Sequence, residues 1–530
     1  SYGNCTNLTT AVCGPNVNNM SNTYSNCSNL TGSPVCGNIV TNMSCTYNAC
    51  RNLTGSPVCG PNVVDMSGAY ANCYNLTGNA VCGPNVINMY RSYDNCLNLT
   101  GNAACGPNVI NMEGAYANCQ NLTLAVCGNN VIDMTYTYFN CMNLTKAVCG
   151  VNVVNMIWAY AYCKNLSTAI CGPNVTNMDH AYYDCKNLLG SPVCGNNVTD
   201  MNMAYTNCYS LTGNAACGPN VTNMGGAYAG CSGLDIPVCG NNVINMNYTY
   251  NACRNLTGSP VCGPNVVNMS GAYKDCYNLT GNAACGPNVV NMTSAYTNCQ
   301  NLTTAICSDS VKYMSSAYAN CRNLTGNAVC GPNVVTMFSS YEDCFNLTTA
   351  VCGNNVVNMK YAYANCANLT IAACGPNVHE MEQTYINCNK LTTAVCGNNV
   401  VNMVNTYRGC YNLTTAVCGS NVVNMYYAYC GGYRLMNICG NCYIYSNKVE
   451  TANRCFGNRD NSKMLNIYVE VNSQTFNTFI KTNNGDCAIG DLGNGNWTND
   501  STNNRYYSEY ANIYIYPVAN VEQAKTNNGD

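Results

Sequence analysis

The sequence predicts an α/β solenoid: right-handed coils of 22 or 23 residues, with a parallel sheet on one side and short helical returns on the other. Three observations predict it. Two series of nineteen cysteines, Cys5, Cys27, Cys50 onward to Cys410 and Cys13, Cys36, Cys59 onward to Cys418, account for 38 of the 44 cysteines. Between them the same apolar residues return at the same offsets in every coil. Within each coil the apolar spacing switches from three or four residues to two, the mark of a change from helical to extended backbone.

The elements follow in order. Leu stands three residues after the first cysteine, from Leu8 to Leu413. Around the second cysteine the spacing is two, as in Ala11 and Cys13 or Pro57 and Cys59, which reads as a short strand with small residues inward. A Gly-Pro-Asn or Gly-Asn-Asn turn closes it. Val, Met, Tyr, Cys and Leu then sit at 0, +3, +7, +10 and +13, the stripe of a short helix or helical turns with one buried face. Short coils read Asn-Leu-Thr-Thr-Ala-Val-Cys, as at 7–13, and long ones Asn-Leu-Thr-Gly-Ser-Pro-Val-Cys, as at 52–59. A Gly-containing turn absorbs the extra residue without moving the core. About twenty coils at ~4.8 Å would extend roughly 95 Å.

The pattern Asn-Val-x-Asn-Met-x-x-Ala-Tyr-x-Asn-Cys-x-Asn-Leu-Thr, as at 288–303, resembles the BspA-like leucine-rich repeats across roughly residues 1–441. It departs from them in using Tyr for Phe and in placing Cys-Gly where Ile-Pro or an Asx-rich turn is usual. The resemblance implies a leucine-rich-repeat-like coil and a surface or secreted adhesion protein of a bacterium or parasite, or a phage-encoded relative.

At the amino end, Tyr2 precedes Cys5 by three residues as Tyr24 precedes Cys27, so Ser1 is expected to lie inside the return of a preceding coil and the chain to be a fragment or a processed product. At the other end the pattern breaks after Tyr429, with Cys430 and Cys439 leading out through a damaged coil. Residues 442–530 change composition. Alternating Ile, Tyr and Val at 466–471 and 512–517, each followed by Thr-Asn-Asn-Gly-Asp, predicts a small β-rich domain capping the exposed sheet edge.

Charge is sparse: 20 Lys+Arg and 23 Asp+Glu, for a net of −3. No basic stripe is present to neutralise phosphates, which excludes a nucleic-acid partner. No apolar run approaches the roughly 20 residues of a membrane span, and no signal-like segment opens the chain. Catalysis has no constellation to carry it. The histidines, His180 and His379, fall in variable positions, and no nucleophile has an evident base. The chain is therefore expected to be no enzyme, with no cofactor.

Stacked cysteines ~4.8 Å apart fall within the ~4.4–6.8 Å Cα range of disulfides. A narrow dry core uses cysteine equally well as a small hydrophobe, and thiols are the expectation. Cys439-Gly-Asn-Cys442, with Cys430 and Cys455, has a zinc-like spacing, but Cys430 and Cys439 already end the two series. The loop at 483–496 has too few carboxylates for a good calcium site, so no metal is assigned. Asn-Leu-Thr/Ser sequons, as at Asn7, Asn29 and Asn75, occur in 15 of the 19 coils. Glycans at a ~4.8 Å spacing cannot all fit, so an asparagine ladder at the strand entry is expected instead.

What varies between coils points to function. The second residue after Met is Tyr136, Trp158, Tyr248, Tyr361 or Tyr427 in some coils, and the residue after the first cysteine is Tyr74, Tyr209, Tyr277, Phe345 or Tyr411 in others. Variable aromatic residues over an unvarying core are what a modular recognition scaffold needs, although drift at solvated positions would also vary. The expected role is recognition or adhesion at an extracellular, cell or virion surface, binding a protein or glycan partner through these two stripes. A structural spacer or self-assembling subunit is one alternative, and an enzyme or metal-binding activity housed in residues 443–530 is another.

Overall fold

The computed structural model describes residues 2–80, 82–430, 438–456, 464–480, 497–508 and 511–528. The chain divides into two compact units, Ser1–Thr257 with Gly263–Asn265, and Gly258–Cys262 with Val266–Asp530.

Both units are built of the expected 22- to 23-residue coils, joined by parallel ladders. The strand side is discontinuous. In the first unit Gly101–Ala104, Leu122–Val126 and Lys146–Val148 pair in parallel, and Gly213–Asn214 pairs with Leu234–Ile236. Three coils outside these ladders carry Pro34, Pro57 or Pro192 at an inward strand position, where a missing N–H breaks the ladder, and the coils at Ala11 and Ala169 lie outside them without a proline. In long coils the extra residue sits at a glycine with φ near +80°, as at Gly55 and Gly101, so the turn read from Leu-Thr-Gly is a left-handed one that glycine tolerates.

The return is not a helix. Among the described residues the only helices are Gln474–Phe479 and Val521–Asn527. An α-helix is about 10 Å across and cannot stack at the ~4.8 Å spacing of paired strands. The return instead is a flat succession of turns. Met134, Tyr136, Tyr138 and Asn140 donate their N–H groups to Asn155, Ile157, Ala159 and Ala161 of the next coil at 2.8–2.9 Å, while Thr137 and Cys141 fold back onto Met134 and Tyr138 at 3.0 and 3.2 Å. Two residues per return adopt positive φ: the second after Met, such as Trp158 at +55°, and the one before Cys, such as Asn140 at +57°.

Val, Met, Tyr, the first Cys and Leu are buried in coil after coil. In the first unit the tyrosine rings stack from Tyr2 to Tyr250 at 5.3–5.7 Å between centroids, within 9° of parallel. In the second a like column runs from Tyr273 to Tyr429 and ends on Phe456. The departure from Phe to Tyr has a structural reason. Where the strand is unpaired, the hydroxyl bridges to its backbone: Tyr205 accepts from Val193 N–H at 3.2 Å and donates to Val193 O at 2.6 Å. In some coils with a paired strand, as opposite Tyr160, Tyr363 and Tyr429, the buried hydroxyl has no partner, while Tyr296 and Tyr407 still donate to Ala284 O and Val395 O at 2.7 and 3.0 Å.

Each cysteine column also bonds between coils. The first-column thiol donates to the tyrosine carbonyl of the preceding coil, as Cys50 to Tyr24 at 3.0 Å. The strand cysteine lies nearer the surface, and its sulfur accepts the N–H of the next coil's glycine, as Cys105 from Gly128 at 2.8 Å. That closeness accounts for Cys-Gly: a Cβ on Gly128 would lie 2.9 Å from the Cys105 sulfur. The described cysteines are free thiols.

In the second unit the parallel sheet runs on without interruption from Thr393–Val395 and Leu413–Cys418 through Ile438–Ile444, Leu465–Glu470 and Ala511–Val518, then turns antiparallel through Arg505–Ser508 and Trp497–Asp500. Leu465, Ile467 and Val469 are buried on one face while Asn466 and Tyr468 alternate outward. The two helices are N-capped by the Ser473 and Asn520 side chains. No described helix is long and apolar enough to cross a membrane.

Candidate recognition surface

Three consecutive coils of the first unit bring six aromatic rings together. Trp158 lies between Tyr136, stacked at 5.9 Å, and His180, stacked at 4.1 Å and 11°. A second file runs beside it: Phe139 meets Tyr162 edge-on at 5.4 Å, and Tyr162 meets Tyr183 at 5.5 Å. Phe139 and Tyr183 also contact Trp158, at 6.0 and 5.6 Å. Tyr136 is 40% exposed, and Trp158 is half-buried between its stacked neighbours. The coil geometry dictates this: the N–H of Tyr136 bonds to Ile157 and that of Trp158 to Asp179, which holds the positions in register along the column.

Charge at the patch is confined to one edge. His180 Nδ1 lies 2.7 Å from the Asp179 carboxylate, which also accepts from Asn202 at 2.8 Å. Burial pushes the Asp179 carboxyl up, but the hydrogen bonds from His180 and Asn202 outweigh it and leave it below the usual carboxylate range.

The remaining residues of the helical-side stripe do not join this patch. Tyr248 is 46% exposed. Tyr361 lies edge-on to Phe338 at 5.9 Å and accepts from Gln383 at 2.8 Å, beside a Lys360–Glu382 ion pair of 2.7 Å. Tyr427 is flanked by Arg408 and Arg454 at 5.4 and 5.7 Å, and the Arg454 guanidinium donates to its hydroxyl at 2.6 Å. The stripe after the first cysteine has its own regularity: a cation in one coil lies over the ring of the next, Arg51 over Tyr74, Lys186 over Tyr209 and Arg322 over Phe345, at 5.6–5.8 Å. Tyr277 is half-buried and Tyr411 exposed in that stripe.

Sequence reading missed four members of the patch. Phe139, Tyr162 and Tyr183 stand five or six residues after Met, in columns beside the aromatic stripe, and His180 shares the stripe's offset as a variable residue but is not among its Tyr and Trp residues. Aligning adjacent columns of neighbouring coils would have found them. A second surface was missed altogether. The residue after the core Val, at Val64, Ile87, Ile110, Ile132 and Val154, forms a row of aliphatic side chains along a groove of about 820 Å³ that Asn85, Asn108 and Asn130 also line.

The asparagines of the sequon column do form a ladder, as Asn143 donating to Asn121 at 3.2 Å and Asn165 to Asn143 at 3.2 Å. Of the zinc-like set, Cys430, Cys442 and Cys455 are buried, while the Cys439 side chain lies outside the described residues, as does the loop at 483–496. Among the described residues no three His, Cys, Asp or Glu side chains are placed to hold a metal ion.

These features define a leucine-rich-repeat-like solenoid that carries its variation on exposed columns. The chain belongs to the BspA-type leucine-rich repeat proteins: the BspA type leucine rich repeat region matches in six copies, over residues 85–212, 247–370 and 337–463. Proteins of this family typically serve in protein binding and surface recognition and are generally not catalytic. A solved leucine-rich repeat protein from Bacteroides ovatus is similar in fold, at 16% identity and a TM-score of 0.50, over 60% of this chain and 86% of that one. A leucine-rich cell surface protein from Faecalibacterium prausnitzii matches at 13% identity and a TM-score of 0.33, over 60% and 82% of the two chains. A leucine-rich repeat protein from Eubacterium ventriosum matches at 14% identity and a TM-score of 0.35, over 56% and 79%. No curated protein sequence matches the chain.

Proposed function

We propose that the chain is a non-enzymatic extracellular recognition protein that binds a protein on a cell surface, with the six-ring patch around Trp158 as its principal contact. The observation that carries this reading is the patch itself. Tyr, Trp and their neighbours are the residues that dominate binding energy at interfaces, and here they are concentrated in three coils. Their backbone adds to the argument. Tyr136, Trp158 and His180 hold φ of +53° to +55°, a conformation that costs a bulky residue of order 1 kcal/mol and that Gly68, Gly114 and Gly226 occupy freely in the same column.

For the first cysteine column an oxidising exterior is compatible with free thiols. Burial holds the first-column sulfurs protonated, with Cys50 and Cys231 pushed up to about 12, and the thiolate is the species that exchanges and oxidises. The test is the double substitution Trp158→Ser with Tyr136→Ser, assayed for attachment of the purified chain to cells that bind the wild type. Attachment should fall at least about tenfold while circular dichroism is unchanged, since interface anchors of this type contribute ~2 kcal/mol or more. Undiminished attachment by a folded double variant would overturn the assignment.

A further inference from the structure

We propose that the aliphatic row beside the asparagine-lined groove of the first unit is a self-association face, and that its occupant is the same row on a second copy of the chain. Val64, Ile87, Ile110, Ile132 and Val154 leave between 38% and 48% of their surface exposed, one residue per coil. The column stays β-branched and uncharged from Thr41 to Ile244, whereas Lys312 and His379 interrupt its continuation in the second unit. A lysine is the usual device by which an exposed strand resists pairing, and the first unit has none here.

This face costs little to dry. Its main-chain groups are already paired between coils: Ile87 N–H to Val64 O at 2.9 Å, Ile110 to Ile87 at 3.0 Å, Ile132 to Ile110 at 3.1 Å and Val154 to Ile132 at 2.9 Å. The flanking amides are also engaged, with Asn85, Asn108 and Asn130 donating to Pro61, Pro84 and Pro107 of preceding coils at 2.9 Å. A partner covering the row orphans none of these N–H groups, so the penalty for burying them is absent, and the asparagine oxygens are left to be satisfied by the partner.

Periodicity selects the partner. The row repeats once per coil, at the ~4.8 Å spacing of paired strands, and a surface with the same repeat is the row of another copy. Methyl groups of one row then seat between those of the other, as identical side chains do in a dry steric zipper. From Thr41 to Ile244 the row offers on the order of 700 Å² per copy, close to the ~800 Å² per partner of a stable interface, and the groove-lining asparagines supply the rest. Rows meeting face to face about a two-fold axis give an antiparallel, closed dimer.

Sedimentation velocity of the full chain under reducing conditions, across micromolar concentrations, tests this. The wild type should form a reversible dimer. Ile110→Lys with Ile132→Lys should weaken it at least about a hundredfold by placing four cations in a dry interface. A control pair on the strand side of the neighbouring coils, Thr100→Lys with Thr123→Lys, should leave it intact. A photo-crosslinking residue at position 110 should join two copies row to row, a readout that does not require the lysine variant to fold. A wild type that remains monomeric overturns the proposal, as does a dimer that survives the 110/132 pair or crosslinks elsewhere. Binding of a peptide or polysaccharide by a monomeric chain would give the first of these results. Trp158→Ser with Tyr136→Ser should not affect the dimer, which keeps this test separate from that of the aromatic patch.

Discussion

Tyr205 and Tyr160 occupy the same stacked column and are both fully buried, yet removing their hydroxyls should have opposite consequences. The Tyr205 hydroxyl accepts from Val193 N–H at 3.2 Å and donates to Val193 O at 2.6 Å, whereas the Tyr160 hydroxyl has no partner. Tyr205→Phe strips both bonds. Each is worth about 1 kcal/mol net, and a peptide group left without a partner costs ~1–3 kcal/mol when buried. Val193 is 39% exposed, so water recovers part of that loss, and a net cost of about 1–2 kcal/mol is expected. Tyr160→Phe removes a desolvated hydroxyl that had no compensation, so it should be neutral or stabilise by up to about 1 kcal/mol. Urea unfolding of both variants measures the difference, and hydrogen exchange at the Val193 amide localises it, which matters because long repeat arrays depart from two-state unfolding. Equal penalties for the two variants, or a Tyr160→Phe variant that loses more than Tyr205→Phe, would refute the account of why this chain uses tyrosine.

Two further outcomes follow from the core. Met224 is fully buried between neighbouring coils, so Met224→Ala should cost about 2–4 kcal/mol through its cavity, read as a lower urea midpoint with faster exchange confined to adjacent coils. Alkali should unfold the chain cooperatively. Burial raises the cysteines from an ordinary 9.0 to about 12 at Cys50, Cys82 and Cys231, and raises the stacked tyrosines above their ordinary 10.0. Groups raised in the folded state stabilise it fully below the unfolded value and lose that contribution as pH rises toward the folded one, so stability should hold to about pH 9 and fall between pH 9 and 12. Tyrosinate absorbance of the buried ring column should appear only with loss of circular dichroism; its appearance in a still-folded chain would contradict the buried column.

The period, the inward columns and the glycine turn of the long coils were legible because each is a repeated choice with one physical reading. The return was not. Offsets of 0, +3, +7 and +10 fit a helix, but they fit equally a run of turns closed three residues back, as Thr137 to Met134 and Cys141 to Tyr138. The distinguishing signal was present. Asn72, Asn95, Asn118 and Asn140 precede the first cysteine, and asparagine is among the few non-glycine residues that tolerate the left-handed conformation those sites adopt. The aromatic stripe after Met was legible as exposed variation, but the grouping of Trp158 with Phe139 and Tyr183 was not, because these contacts between coils join residues at different offsets.

In a stack of this kind an inward side chain packs against its counterparts above and below, so a change in one coil disturbs three. That coupling explains why Val, Met, Tyr, Cys and Leu hardly vary, and its absence explains why the residue after Met is Ser21, Tyr90, Glu113, Asp179 or Lys360. The residue after the core Val faces outward and should vary as freely. In the first unit it does not. Ladder geometry favours β-branched side chains there and so accounts for threonine and valine alike. It gives no reason for Ile87, Ile110 and Ile132 in three successive coils, where the larger side chain adds exposed apolar surface and little strand preference. Packing along the row covers only about half of each of these side chains. The exposed half is free for a contact outside the coil, and an uncharged row with its peptide N–H groups and one N–H of each flanking amide already paired is suited to it.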